Sequence, residues 1–339
     1  MRKLFLILIL MSSIAMHAGT AAEIDSVTPR RVELIDSLAL INEIFYQRIK
    51  AGIENANRQP VSLNVLEEIK ITSEGGYCDE ENLYTELRKA IFNSFTVSWG
   101  LKGYDLDKQL RHLLAKHSYV LSLNDSIYRD INYLEGFSLK LKELSDVVKI
   151  RGHLIGLDKI GHFFAQGWQY FEMTEYDEKG IDDALAWGRE RESGLFGYKT
   201  TGIFSFADLV ANLNGWRFWN KVLRRHHDPL KSTLANLIDS PYVKCKIQII
   251  DSIKAGKIVK AWEYNTRFDM ADYIDGAWDE GNNCNSYADP IIEEKVTSRI
   301  RSIDADFACP LNSAVCRKAQ DRYGDFAKQI LHPYCLTAQ

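Results

Sequence analysis

The residues best suited to chemistry lie in "GLDKIGHFFAQGWQYFE", 156–172, where Asp158, Lys159 and His162 gather at the start of an apolar run. On a helix, Asp158 and His162 are four residues apart and share a face. A carboxylate one turn before an imidazole can fix its tautomer and raise its basicity, as a general base or a metal ligand requires. His153, just upstream, extends the set to H-x4-D-x3-H, an irregular metal pattern. The same residues also admit a purely structural reading. Asp158 would then be a helix N-cap or first-turn acid, Lys159 a solvated side chain, and His162 a hydrogen-bonded core histidine. Spacing leaves both readings open.

A second polar set lies in "TTGIFSFADLVANLNGWRFW", 200–219. Ser205 and Asp208 have capping-box spacing, though Asp is a weaker partner there than Glu. Asp208, Asn212 and Gly215 fall at i, i+4 and i+7 and share one face. Polar groups lining a stripe among aromatics need partners. We expect this stripe to meet the Asp158–His162 face, with Gly215 permitting close backbone approach. The alternative is a buried polar network that only orders the core. Between the two sets, Glu190 and Glu192 are the candidates for a third acid, and we place Glu190 in the pocket. The competing reading puts both on an exposed helix end. Gly194, Gly197 and Gly202 make the following loop able to adopt unusual backbone angles or to act as a lid.

A third cluster, Asp269, Asp272, Asp275, Asp279 and Glu280, precedes "GNN". Asp272, Asp275 and Asp279 offer oxygens to a calcium ion. The EF-hand order fails, however, because only Asp275, before Gly276, falls in place, so a solvated acidic turn is the competing reading. "HHD" at 226–228 reads as a charge cluster at a helix C-terminus. H-E-x-x-H, G-x-S-x-G, a Walker loop and a dinucleotide fingerprint are all missing, which takes most of the weight from the common protease, esterase, kinase and dehydrogenase readings. No cofactor is indicated.

The ordered set "DKIGHF", then Glu190 or Glu192, then "FSFADLVANLNG" resembles VanZ-like proteins and similar small predicted periplasmic lipoproteins. Those families show D-K-x-x-H-F, a later acid, and D-x-x-x-N-x-x-G. The resemblance covers residues 156–220 and marks Asp158, Lys159, His162, Phe163, Asp208, Asn212 and Gly215. It implies a link to the cell envelope, since VanZ-like proteins are associated with glycopeptide (teicoplanin) resistance. VanZ-like proteins span the membrane several times, whereas here only the N-terminal segment is apolar enough to do so.

These sets need elements to position them. The first residues, "MRKLFLILILMSSIAMHAGTAA", have the layout of a secretory leader: Arg2 and Lys3, an apolar run, then small residues. Cleavage after Ala22 or after Ala18 fits, and no cysteine stands at the junction to carry a lipid. We therefore expect an exported protein, periplasmic or secreted, with no transmembrane span once the leader is removed. In an oxidising compartment the six cysteines read as disulfides. Our pairing favours Cys309 with Cys316 and Cys245 with Cys284, leaving Cys78 with Cys335. Formal net charge is −4, or −6 without the leader's Arg2 and Lys3, and no basic block suggests a nucleic-acid partner. A cell-envelope component or an apolar ligand remains as a partner class.

With 339 residues, 46% apolar and 26% charged, the chain has an ordinary globular composition. From Arg31 to Asn57, apolar residues recur at three- and four-residue steps, predicting a helix. Further helical runs are expected at 62–70, 80–96, 105–118, 134–149, 289–303 and 312–331. "YVKCKIQIID" and "KIVKAWEY" predict a β hairpin near 242–263. Residues 157–221 hold fourteen of the aromatic side chains, which read as the thickest part of the core or as the wall of an apolar ligand cavity. The expected architecture is mainly α: a disulfide-bonded helical domain with one small hairpin. Its organisation is a leader at 1–22, a helical layer at 23–150, and a core with hairpin and C-terminal helices at 151–339, the last two forming one domain or two. The expected function is a hydrolase of the cell envelope with a pocket of Asp158, His162, Glu190, Asp208 and Asn212, or a non-catalytic binding or structural protein.

Overall fold

The computed structural model describes residues 23–58, 78–92, 95–97, 101–103, 106–194, 197–250 and 257–338. The leader at 1–22, the helical run expected at 62–70 and the turn at 251–256 lie outside the described residues. The fold is mainly helical, with antiparallel sheets of two or three strands. The expected hairpin pairs Val243–Ile250 with Lys257–Tyr264, Val243 opposite Tyr264 and Ile250 opposite Lys257. No helix among the described residues is long and apolar enough to cross a membrane.

The structure departs from several of the expected helices. The run expected as a helix at 134–149 keeps only Phe137–Leu141 helical. Val147–Ile150 instead pairs with His153–Gly156 through a tight turn at Arg151 and Gly152, both with positive φ. "VVKI" is rich in β-branched side chains, which suit a pleated surface better than a helix. Gly152, at φ 83°, supplies the left-handed angle that closes the turn. The first helix also starts late, at Leu38 rather than Arg31. Its expected first turns run extended, and the Ser37 amide donates to the Lys149 carbonyl.

The described residues form two compact units. One takes the chain up to Ala39, Thr96–Trp219 and Met270 onward; the other takes Leu40–Phe95 and Asn220–Asp269. In the first, the aromatic run forms core. The Phe163 ring lies 4.7 Å from Phe164, 5.1 Å from Tyr273 and 5.5 Å from Phe218. Trp219 donates its indole N–H to the Phe164 carbonyl at 2.9 Å, so its one polar atom is satisfied. Each such ring contributes roughly 1.5–3 kcal/mol by leaving water. A second apolar cluster packs Ile127, Tyr128, Ile131 and Leu144 against Ile292 and Val296.

In the other unit, Phe45 packs edge-on against Phe268, and Asn57 exchanges two hydrogen bonds with the backbone of Trp262. Cys78 is bonded to Cys245 there, with Cα atoms 6.0 Å apart. The first unit holds Cys284–Cys309 and Cys316–Cys335. All three expected pairings are thus corrected. Cys316 is buried on the inward face of Ser313–Tyr323, where Cys335 meets it, while the Cys309 sulfur lies on the loop that carries Glu280 and Cys284. Proximity in sequence had favoured the short loop between Cys309 and Cys316, but packing turned the two sulfurs to different neighbours.

Candidate functional site

The turn and hairpin at 147–156 deliver the chain to Leu157, where a helical segment begins without a capping side chain at Gly156. The Leu157 amide donates to the Asp146 carbonyl, and the Asp158 amide donates to Ser145 Oγ. Helix Leu157–Gly161 passes into a π-helical turn, His162–Gln166, and then into helix Gly167–Glu175. Such widened turns are uncommon and frequent at functional sites. Opposite runs helix Phe206–Leu223. Gly215 sits so close to the Phe163 carbonyl that a Cβ would clash with it, and Gly167 packs on Gly215 in the same way. The expected meeting of the two polar stripes, with Gly215 at the contact, is what the structure has.

Lys159 is the centre of the cluster, not a solvated side chain. It is 0% exposed, and its ammonium lies 2.6 Å from Asp208 Oδ1, 2.8 Å from Glu280 Oε1 and 2.9 Å from Asp158 Oδ2. Spacing had offered one hint, since Lys159 falls four residues before the buried Phe163. Burial alone would lower the lysine pKa, but Asp158, Asp208 and Glu280 outweigh it and hold the value well above the ordinary one. Asp208 shows the mirror image: burial works against its charge, yet His162 and Lys159 hold its pKa below the usual carboxylate value.

His162 is held from two sides. Nδ1 lies 3.1 Å from Asn212 Oδ1, and Nε2 lies 3.2 Å from Asp208 Oδ2. Asn212 donates its Nδ2–H to Gln166 Oε1, so its oxygen faces the imidazole and Nδ1 is the protonated nitrogen. Nε2 faces Asp208 and can donate a proton to it or, without that proton, offer a lone pair. This corrects the expected pairing: Asp158, one turn before His162, is drawn to Lys159, and the carboxylate at the imidazole is Asp208. His162 keeps 16% of its side chain exposed, whereas Lys159 keeps none.

Glu190, the expected third acid, is exposed, and Glu192 takes its place at 2% exposure. Helix Ile181–Ser193 buries Leu185, Gly188 and Glu192 at i, i+3 and i+7, which turns Glu190 to the other side. Among the described residues, Glu192 Oε1 has no hydrogen-bond partner. Its burial, then Asp208 and Glu23, push its pKa well above the ordinary carboxyl value. Donor atoms of His162, Glu192 and Asp208 all lie within 4.8 Å of one another, a spacing that could hold a metal ion.

Two further carboxyls join the cluster that were not expected in it. Glu280 accepts from Ser205 Oγ at 2.9 Å and from Asn285 Nδ2 at 2.7 Å. Strand Ile203–Ser205 pairs with Asn285–Tyr287, and this register sets Ser205 beside Asn285. Ser205 also accepts from the Asp208 amide, but Asp208 turns its carboxylate to Lys159 and His162, so only half of the expected capping box forms. Glu23 accepts from Thr201 Oγ1 at 2.7 Å, and burial raises its pKa well above the ordinary value. Glu280 stood out only as part of the acidic stretch before "GNN" and Glu23 not at all, since each reaches this pocket from a distant part of the chain.

The remaining candidates lie elsewhere. His153 lines a separate cavity of about 370 Å³ with Arg151, Lys318 and Arg322. The acids proposed for calcium diverge: Asp279 pairs with Arg30, and Asp275 caps Gly276–Trp278 while accepting from Tyr323. Asp272 bends into a short 3₁₀ turn whose backbone carbonyl accepts from Arg322. No protein-family model, curated protein or solved structure matches the chain.

Proposed function

We propose that this chain is an exported, disulfide-bonded protein of the cell envelope whose buried cluster activates water for hydrolysis. One observation carries the reading: His162, partly open to solvent, has Nδ1 fixed by Asn212 and Nε2 turned to the ionised Asp208. An imidazole so placed has two ways to activate water, by taking a proton on Nε2 or by holding an ion that acidifies the water. A proton taken on Nε2 faces Asp208 at 3.2 Å, so the imidazolium is stabilised as it forms. The three disulfides fit an oxidising compartment, and the D-K-x-x-H-F and D-x-x-x-N-x-x-G patterns resemble envelope proteins.

A second reading rests on Lys159. A fully buried ammonium among three carboxylates can serve as a clasp between helix Leu157–Gly161, helix Phe206–Leu223 and the Glu280 loop, with no catalysis.

Product release from isolated cell-envelope material by the purified chain, compared with His162→Ala and Asp208→Asn, tests the first reading. Urea unfolding of the same variants decides between the two. Turnover lost in both variants with stability kept supports hydrolysis. Absent turnover in the parent, together with losses of roughly 2–4 kcal/mol in both variants, makes the cluster a clasp.

A further inference from the structure

We infer that His162 Nε2, Asp208 Oδ2 and Glu192 bind one divalent transition-metal ion. The inference deepens the hydrolytic reading by choosing the ion over the proton as the activating agent. Metal binding itself stands or falls without any activity.

Four observations support it. The donor atoms of the three residues are already within 4.8 Å of one another. Zinc–ligand bonds of about 2.0–2.2 Å would need shifts of about 1 Å to close around the ion. Next, Glu192 Oε1 is buried with no hydrogen-bond partner among the described residues, a cost that a cation would offset. Third, Nε2 and Asp208 Oδ2 face each other at 3.2 Å, a separation that places two ligand atoms on the same side of a site between them. Fourth, the surrounding groups have the form that metal-ligating histidines and carboxylates need. Asn212 accepts the Nδ1–H, and Lys159 holds Asp208 Oδ1, leaving Oδ2 for the ion.

Charge points the same way. Glu23, Asp158, Glu192, Asp208 and Glu280 crowd around one buried ammonium and one imidazole. Lys142 approaches Glu23 and Asp107 from outside the cluster. A dication on one neutral imidazole and two carboxylates makes that part of the cluster neutral. A nitrogen ligand with two oxygens suits zinc or manganese better than calcium, which takes oxygen alone.

The test uses the oxidised full chain, freed of metal with EDTA and titrated with zinc chloride, read by calorimetry, by bound zinc after dialysis and by thermal unfolding. One zinc per chain and a rise in Tm are expected. Glu192→Gln keeps the shape of the neutral acid and so keeps the fold, and it should weaken zinc binding more than about tenfold, as should His162→Ala. Asn212→Leu should weaken it by about 10–100-fold. His153→Ala, in the separate cavity, should leave it unchanged. No zinc bound by the parent, or equal binding by Glu192→Gln, overturns the inference. Turnover that persists in the EDTA-treated chain overturns the ion as the activating agent and leaves hydrolysis standing. Zinc bound without turnover does the reverse.

Discussion

Lys159 Nζ and Asp208 Oδ1 lie 2.6 Å apart, and the lysine has no exposed surface at all. The two residues come from helices on opposite sides of the cluster, so this bond joins the two polar stripes. An isolated buried ammonium would be far too costly to keep charged. Here three carboxylates keep it so, and its removal would strand them.

Lys159→Met therefore tests the cluster as a unit. Removing one partner of a buried ion pair typically costs about 3–5 kcal/mol because the remaining charges lose their compensation. Urea unfolding should show a loss of that size, and adding Glu280→Gln to the same chain should recover part of it. A loss below about 1 kcal/mol would mean that the ammonium is not the counter-ion.

Glu192 gives a pH signature. Its folded pKa is raised, mainly by burial, so folding favours the neutral acid. Below the unfolded pKa both states are protonated and the residue adds no penalty. As pH rises past about 4.3 the unfolded chain ionises first, and the folded state loses stability relative to it. In EDTA, Glu192→Gln should match the parent near pH 4 and exceed it in Tm at pH 7. Equal Tm values across pH 4–8 would place the carboxyl in contact with water.

His332 has the opposite sense. Burial lowers its pKa to about 4, against an ordinary value of about 6.5. Its Nδ1 accepts from the Tyr334 amide, and its ring lies edge-on to Phe206 at 5.1 Å, so the neutral form is the one that fits. The neutral ring's contribution is present above pH 6.5 and is lost as pH falls toward 4. His332→Gln should flatten the fall of stability across that window, measured by urea midpoints at half-unit steps. Parallel curves would refute the assignment.

Gly215→Ala probes the helix contact. A Cβ there would strike the Phe163 carbonyl, and backbone cannot move aside as a side chain can. Overpacking of this kind costs about 1–3 kcal/mol or more. Gly180→Ala is the control, because its nearest neighbour would be Asp183 Oδ2 at 3.6 Å, an ordinary contact, and the change should stay within about 0.5 kcal/mol. If both variants unfold alike, the close approach at Gly215 is not what sets the geometry.

Helical spacing carried the local part of this site. Asp208, Asn212 and Gly215 share a face because 3.6 residues make a turn, and the aromatic run is core because rings bury the most area. The hairpin at 243–264 was legible for the same reason, through alternation with a period of two. Glu192 was legible too, one turn past Gly188 and two past Leu185, though the expectation settled on Glu190. The hairpin at 147–156 was not, because a short apolar run fits helix and strand alike and only its pairing decided it. Disulfide partners, Glu280 and Glu23 were decided by tertiary structure alone. Which sulfurs meet, and which distant carboxylates close on Lys159, depends on how whole elements pack, and spacing along the chain does not encode that. So the sequence by itself determined which residues share a face, while the fold decided which faces meet and which charges are left to neutralise one another out of water.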